Sequence, residues 1–292
     1  MNSKEDSISL PLVHRGKVRN VYDLGQNYLI VASDRISAFD YVIPTIIPDK
    51  GKVLHKLSMF WFDFIKDIVP NHIITGNFES FPAALKQYEY LRDRSMIVKK
   101  ANRVDIECIV RGYLAGSGWK EYQKSQTVCG IKLPAGLKES SKLPEAVFTP
   151  SSKEENGKHD ENISFEETVK RVEKDTAESL RKVSLELYKK VSEYSFSKGI
   201  ILADTKLEFG FYDNQLILID EIFTPDSSRF WETDKYEEGK SQDSLDKQYV
   251  RDYLEQIKWN KSSPAPELPK DIVEKTMEKY ISAYEKLTGV NF

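Results

Sequence analysis

The sequence predicts an α+β protein built on antiparallel sheets. Two apolar runs, 200–212 and 215–222, are separated only by Asp213-Asn214, a hairpin signal. Apolar residues at helical spacing occur in 52–69, in 164–196 and in two stretches near the C-terminus. Strands and helices do not alternate in the regular order of a doubly wound fold.

Taken in order, residues 27–33 (NYLIVAS) are a short apolar run suited to a buried strand. Residues 52–69 place Val53, Leu57, Phe60, Trp61, Phe64, Ile65 and Ile68 on one helical face, and Pro70 follows. Residues 96–99 and 106–114 read as strands. The stretch 132–163 is long and polar, has three prolines and lacks periodicity. It is either a disordered insert or a loop that covers substrate. Ser164 and Glu167 have the spacing of a capping box, with Ile163 as a possible staple. The helix they open runs to about Phe196 as one long helix or two joined by a kink, and Gly199 is a natural C′ residue. Helices over 243–256 and 270–287, separated by the linker SSPAPELP, close the chain. No internal repeat is present.

A length of 292 residues suits one large domain or two intimately packed ones. Hydrophobic residues make up 40%, which excludes a chain too polar to form a core. A net charge of -3 gives no global field for nucleic acid or an anionic membrane. Cys108 and Cys129 fit neither a zinc spacing nor a disulfide framework and read as reduced thiols of a cytoplasmic protein. The polar N-terminus lacks a signal core, and no apolar run approaches the ~20 residues of a membrane span. The sequons at Asn162 and Asn260 read as chance matches.

The sharpest local signal is Asp204-Thr205-Lys206-Leu207-Glu208. On a strand, Asp204, Lys206 and Glu208 share one face. Across the hairpin, a strongly apolar run ends in Asp220-Glu221. Charges on buried strands are costly unless paired or bound to a cation. Carboxylates from Glu208 and Asp220 suit Mg²⁺ completed by substrate phosphates, and Lys206 suits a phosphate. The other reading is a solvated strand face with cross-strand ion pairs. Register bears on this. A two-residue loop pairs Glu208 with Ile219 and puts Glu208 and Asp220 on opposite faces. A shared metal therefore predicts a three-residue loop or a bulge, for which Gly210 is the candidate position.

Gly16-Lys17-Val18-Arg19 sets a glycine and two cations before a strand, a weak phosphate-binding signal. No Walker A or dinucleotide-binding fingerprint is present. Arg111-Gly112-Tyr113-Leu114-Ala115-Gly116-Ser117-Gly118 follows an apolar strand and offers a guanidinium fork plus backbone amides for an anion, or is a plain Gly-rich turn. Thr224-Pro225-Asp226-Ser227-Ser228-Arg229 is a polar turn that sets Arg229 near the acids, or a surface turn. The segment 33–40 is dense in short polar groups. His159 receives no catalytic role.

Together these segments resemble the SAICAR synthetase family, the phosphoribosylaminoimidazole-succinocarboxamide synthases of de novo purine synthesis. The most specific are IECIVRGYLAGSGW (106–119) and ILADTKLEFGF (201–211). GKVRNVYDLG, ASDRISAFDYVIP, FTPSSKEENGKHDENIS and IDEIFTPDSSRFW agree in the family's order. The chain is similar to the longer, single-chain form, and has Gly112 where short forms often have Asn. The resemblance implies that ATP, the carboxyaminoimidazole ribonucleotide CAIR and L-aspartate give SAICAR, ADP and phosphate. It also implies a two-lobed fold related to ATP-grasp and kinase-like proteins. In that fold, residues 1–103 form a β-rich lobe that contributes to ATP binding. Residues 104–292 form an α+β lobe with the metal and CAIR sites and the C-terminal helices. Carried over by position, Gly16, Lys17, Arg19 and Lys99 are implied for ATP, and Glu208 and Asp220 for Mg²⁺. Arg111, Ser117, Lys153, Asp160 and Arg229 are implied for CAIR, and Lys206 and Asp204 for catalysis. Ser33, Asp34, Arg35 and Asp40 are the expected aspartate side. Asp204 either accepts a proton or orients Lys206. The longer form implies a cytoplasmic monomer acting on small molecules, with no nucleic-acid or membrane partner. Two rivals are a small-molecule kinase, because Asp204-Thr205-Lys206 also resembles the D-x-K motif of inositol-phosphate kinases, and a non-catalytic nucleotide-binding module.

Overall fold

The computed structural model describes residues 8–153 and 161–292. The chain opens with a meander of three strands, β1 (Leu12–Arg15), β2 (Arg19–Asp23) and β3 (Asn27–Ala32). A small hairpin follows, β4 (Ser37–Ala38) and β5 (Tyr41–Val42), then helix α1 (Lys50–Phe64). Strands β6 (Ile73–Thr75) and β7 (Ser95–Lys99) complete a five-stranded sheet ordered β1-β2-β3-β7-β6. Next come β8 (Asn102–Arg103), β9 (Ile106–Tyr113), helix α2 (Gly116–Ser125), the ribbon β10 (Thr127–Val128) and β11 (Ile131–Lys132), then β12 (Lys142–Phe148) and β13 (Ser151–Ser152). Helices α3 (Phe165–Val172) and α4 (Lys174–Ser197) lead into β14 (Ile200–Tyr212), β15 (Gln215–Ile219) and β16 (Ser228–Glu232). Helices α5 (Gln248–Gln256) and α6 (Lys270–Thr288) end the chain. The second sheet has seven strands around β9 and β14, and every pairing within both sheets is antiparallel. The α+β class with antiparallel sheets therefore stands.

Period-two alternation builds β14 as expected. Leu207 and Phe209 enter the main core beside α4, whose Leu180, Leu187 and Val191 pack on the sheet. The same core takes Trp61 of α1 and Tyr280, Ala283 and Leu287 of α6. Ser164 caps α3 by accepting from the Glu167 amide at 3.2 Å. The long helix is two helices, broken at Glu173, whose φ is 66°. The last predicted helices survive, though α5 starts only at Gln248. Before it, Leu245 and Ser244 bond the carbonyl of Phe230 in an extended path along β16.

Two expectations are corrected. The polar stretch 132–163 is not loop throughout, because β12 and β13 both pair with β9. Pro144 conceals β12 in the sequence. It is tolerated there because β12 is an edge strand whose register shifts between Lys142 and Val147. The β14–β15 hairpin has neither a three-residue loop nor a bulge at Gly210: Tyr212 pairs with Gln215 and Glu208 with Ile219. Asp213 and Asn214 both take positive φ, 49° and 61°, which closes a two-residue turn in register with the strand twist. Asp220 reaches the Glu208 side another way. It lies beyond the end of β15 with φ 65°, out of the strand's alternation.

Gly112 allows β9 and α4 to meet. A Cβ there would sit 2.1 Å from the hydroxyl oxygen of Tyr188, which donates to the carbonyl of Leu202 at 2.6 Å. Gly112→Ala is expected to cost roughly 1–3 kcal/mol of overpacking. That lowers the thermal midpoint by roughly 2–12 °C. An unchanged midpoint in a calorimetric scan would show that this contact has slack.

Candidate active site

A cleft of about 1110 Å³ lies between the two sheets. From the first sheet it takes Gly16, Lys17 and Arg19 at the start of β2, and Lys99 at the end of β7. From the second it takes Lys206, Glu208, Asp220 and Glu221, with Lys153, Ser117 and Arg229 beside them. A smaller cavity of about 180 Å³ shares Ser117, Lys206 and Arg229 with it and adds Arg111 and Asp204.

The acids and cations are interlocked. Lys206 Nζ donates to Glu107 at 2.8 Å and to Glu208 at 2.9 Å, and Lys153 bonds the other Glu208 oxygen. Burial alone lowers the pKa of the Lys206 ammonium, but Glu208 and Glu107 outweigh it and hold it above its ordinary value. Lys206 is thus a fixed cation. Burial likewise raises Glu208, and Lys206 with Lys153 reverses this, so the carboxylate stays ionised. Asp220 goes the other way. Burial and the neighbouring Glu208 and Glu221 raise it above the usual carboxylate range, against the pull of Arg19. Arg19 reaches across from β2 and pairs with Asp220 at 2.6 Å and with Glu221. It therefore ties the first sheet to the acids.

A second charge row crosses three strands. Asp204 of β14 lies in register with Arg111 of β9 and Arg229 of β16 and accepts from both, at 3.0 Å from Arg111. Two guanidiniums share one carboxylate, which leaves a surplus positive charge. Arg111 also donates to Ser117 Oγ at 3.0 Å. The flanking glycines make this approach possible. A Cβ on Gly116 would lie 2.3 Å from Arg229 Nη2, and one on Gly118 would lie 3.1 Å from Arg111 Cδ. Ser117, in the first turn of α2, and both guanidiniums thus line the smaller cavity, a geometry suited to a phosphate monoester. The Lys206 ammonium bonds Glu107 and Glu208, while Asp204 bonds the two guanidiniums.

The SAICAR synthetase family model matches residues 12–267. The chain belongs to the SAICAR synthetase family. The phosphoribosylaminoimidazole-succinocarboxamide synthase of Thermodesulfovibrio yellowstonii is 59% identical over 279 residues, 95% of each chain. The SAICAR synthase of Saccharomyces cerevisiae, solved in complex with SAICAR, is 46% identical with a TM-score of 0.89, over 97% of this chain and 96% of that one. The SAICAR synthetase of Pyrococcus horikoshii shares the fold at 24% identity, with a TM-score of 0.68 over 94% and 99%.

In this member of the SAICAR synthetase family, the predicted aspartate side divides. Asp40 lines the cleft and pairs with Lys17. Ser33, Asp34 and Arg35 stand behind it. Ser33 Oγ donates to the Val18 carbonyl at 2.8 Å. Asp34 accepts from Arg94 at 2.8 Å and from the Gly51 amide, in the first turn of α1, at 3.0 Å. Arg35 donates to the carbonyls of Lys17 and Gly16, both at 3.1 Å. The polar density of 33–40 thus builds the loop that carries Lys17. Asp160 lies outside the described residues.

Sequence reasoning missed Glu107 and Asp226, and also Lys247 and Arg251, which line both cavities from the start of α5. Glu107 carried the same signal as Glu208, one acid inside an apolar strand. Lys247 and Arg251 sit in an ordinary amphipathic helix and gave none. Among the described residues no three His, Cys, Asp or Glu side chains converge as metal ligands. The donors present still fit a divalent ion completed by phosphates. Burial, Glu208 and Glu221 raise the Asp220 carboxyl above its ordinary pKa, and among the described residues Glu221 Oε2 is buried without a hydrogen-bond partner. This is a surplus of oxygen donors that a cation relieves.

Proposed function

We propose that the chain ligates L-aspartate to the carboxylate of CAIR, 5-amino-1-(5-phospho-D-ribosyl)imidazole-4-carboxylate, with ATP, giving SAICAR, ADP and phosphate. One observation carries the reading. The Gly-Lys loop and the Glu208–Lys206–Lys153 cluster line one cleft, and Lys206 and Arg229 in its wall also line the smaller cavity that holds Arg111. Family membership supports the same activity.

A carboxylate is a poor electrophile. Its oxygen attacks the γ-phosphorus of ATP, ADP leaves, and the acyl phosphate is then attacked by the aspartate amine, which expels phosphate. The protein positions and neutralises charge. Gly16, Lys17 and Lys99 face the nucleotide phosphates, and Lys206 and Lys153 the transferred phosphoryl group. Arg111, Ser117 and Arg229 hold the ribonucleotide phosphate. Arg19 steadies Asp220 and Glu221, while Ser33, Asp34 and Arg35 support the Lys17 loop. Glu208 and Asp220 would hold Mg²⁺, which supplies charge neutralisation on the phosphates. The reading includes two lobes of ATP-grasp-like and kinase-like descent, 1–103 and 104–292, with ATP between them. It also includes a monomer in the cytoplasm, and the two free, buried cysteines support the compartment. Among the described residues no helix is long and apolar enough to cross a membrane.

A substrate-omission assay tests the reaction. ADP release is expected only when ATP, CAIR and aspartate are all present at steady state. Sustained turnover without aspartate would identify a kinase instead.

A further inference from the structure

We propose that Tyr280, on the C-terminal helix α6, is a positioning residue for the substrate site, acting through Asp226 on the turn that carries Arg229 into the cleft. The inference rests on the proposed function and adds a residue to it. The family match ends at residue 267, before α6 begins at Lys270. By composition α6 is a packing helix, and Ala283 and Leu287 serve only the core. Tyr280 differs from them. Its ring is fully buried, yet its hydroxyl donates to Asp226 Oδ1 at 2.7 Å. Asp226 lines both cavities.

The second oxygen of Asp226 accepts from Lys50 Nζ at 2.6 Å, and Lys50 is 0% exposed. The Lys50 ammonium also lies 5.6 Å from the centre of the Tyr280 ring. Both carboxylate oxygens are therefore engaged from behind the cleft, one by α1 and one by α6. Burial, reinforced by the Asp226 carboxylate, pushes the Tyr280 hydroxyl well above its ordinary pKa, so it stays a donor.

Asp226 sits in a turn with little freedom. Ser227 and Ser228 donate their amides to the Thr224 carbonyl at 3.1 and 2.8 Å. The Lys206 amide donates to the Ser227 carbonyl at 2.9 Å. The hydroxyls of Thr205 and Ser228 meet at 2.8 Å. Moving Asp226 therefore moves the backbone that orders Arg229, while the Lys206 ammonium keeps its own anchors on Glu107 and Glu208. The nucleotide side of the cleft, on β2 and β7, has no part in this chain of contacts.

Steady-state kinetics on the full chain test the proposal, with Leu287→Ala as a packing control on the same helix. Tyr280→Phe is expected to raise KM for CAIR roughly ten-fold, because small displacements of positioning groups are costly. KM for ATP should stay at the parent value. Leu287→Ala is expected to lower the thermal midpoint and, where folded, leave all three KM values alone. Unshifted KM values in Tyr280→Phe, or one equal shift for all three substrates, would overturn the inference. Asp226→Asn carries the same expectation, and it decides the matter if Tyr280→Phe does not fold. An inactive parent chain overturns the proposed function. An active parent with unshifted variants overturns only this inference.

Discussion

Glu208→Gln is expected to lower ligase turnover roughly a thousand-fold, the scale seen when a preorganised electrostatic group is removed. Both Glu208 oxygens are committed, one to Lys206 at 2.9 Å and the other to Lys153. Burial disfavours its charge, and the two ammonium groups restore it. The amide keeps the volume but deletes the anion. Two cations then face each other with less counter-charge, and the strongest candidate oxygen donor for Mg²⁺ is gone. The loss should appear in kcat and in the Mg²⁺ concentration needed for half-maximal rate. The folded state should persist, because Glu107 still anchors Lys206 at 2.8 Å. Turnover at the parent level would remove Glu208 from the chemistry.

Asp204→Asn is expected to act on stability. Its carboxylate sits between Arg111 and Arg229, and Arg111 and Asp204 are only 2% and 5% exposed. Removing one partner from a buried ion pair leaves uncompensated charge, which costs roughly 3–5 kcal/mol. In a chain of this size that lowers the thermal midpoint by roughly 6–20 °C. Asp246 is the nearby acid that moderates the loss at Arg229. A scan with the parent midpoint would show that the two guanidiniums do not depend on Asp204.

Much of this was legible in the sequence because period and chemistry agreed. β14 shows its buried face through Leu207 and Phe209, and its charged face turns toward the cleft. Helices α1, α4 and α6 follow their apolar spacing. What failed were features set by tertiary context. Pro144 reads as a strand breaker, yet an edge position tolerates it. The hairpin closes in the register that sequence logic associates with a split pair of acids. Asp220 escapes because one residue at positive φ resets its direction, and an aspartate can adopt that conformation without announcing it. Asp34 looked like a ligand because it is acidic and flanked by polar residues. Only the fold shows that Arg94 and the Gly51 amide occupy it. Lys50, Asp226 and Tyr280 are remote in sequence, so their convergence had no local signal.

The most direct test of carboxylate activation follows oxygen. CAIR labelled with heavy oxygen in both carboxylate positions is turned over with unlabelled ATP and aspartate, and the released phosphate is examined by mass spectrometry. Attack of the carboxylate on the γ-phosphorus, followed by amine displacement, transfers one labelled oxygen into each phosphate formed and leaves the other in the amide. Phosphate free of label, with ligated product accumulating, would contradict activation by phosphorylation in this cleft.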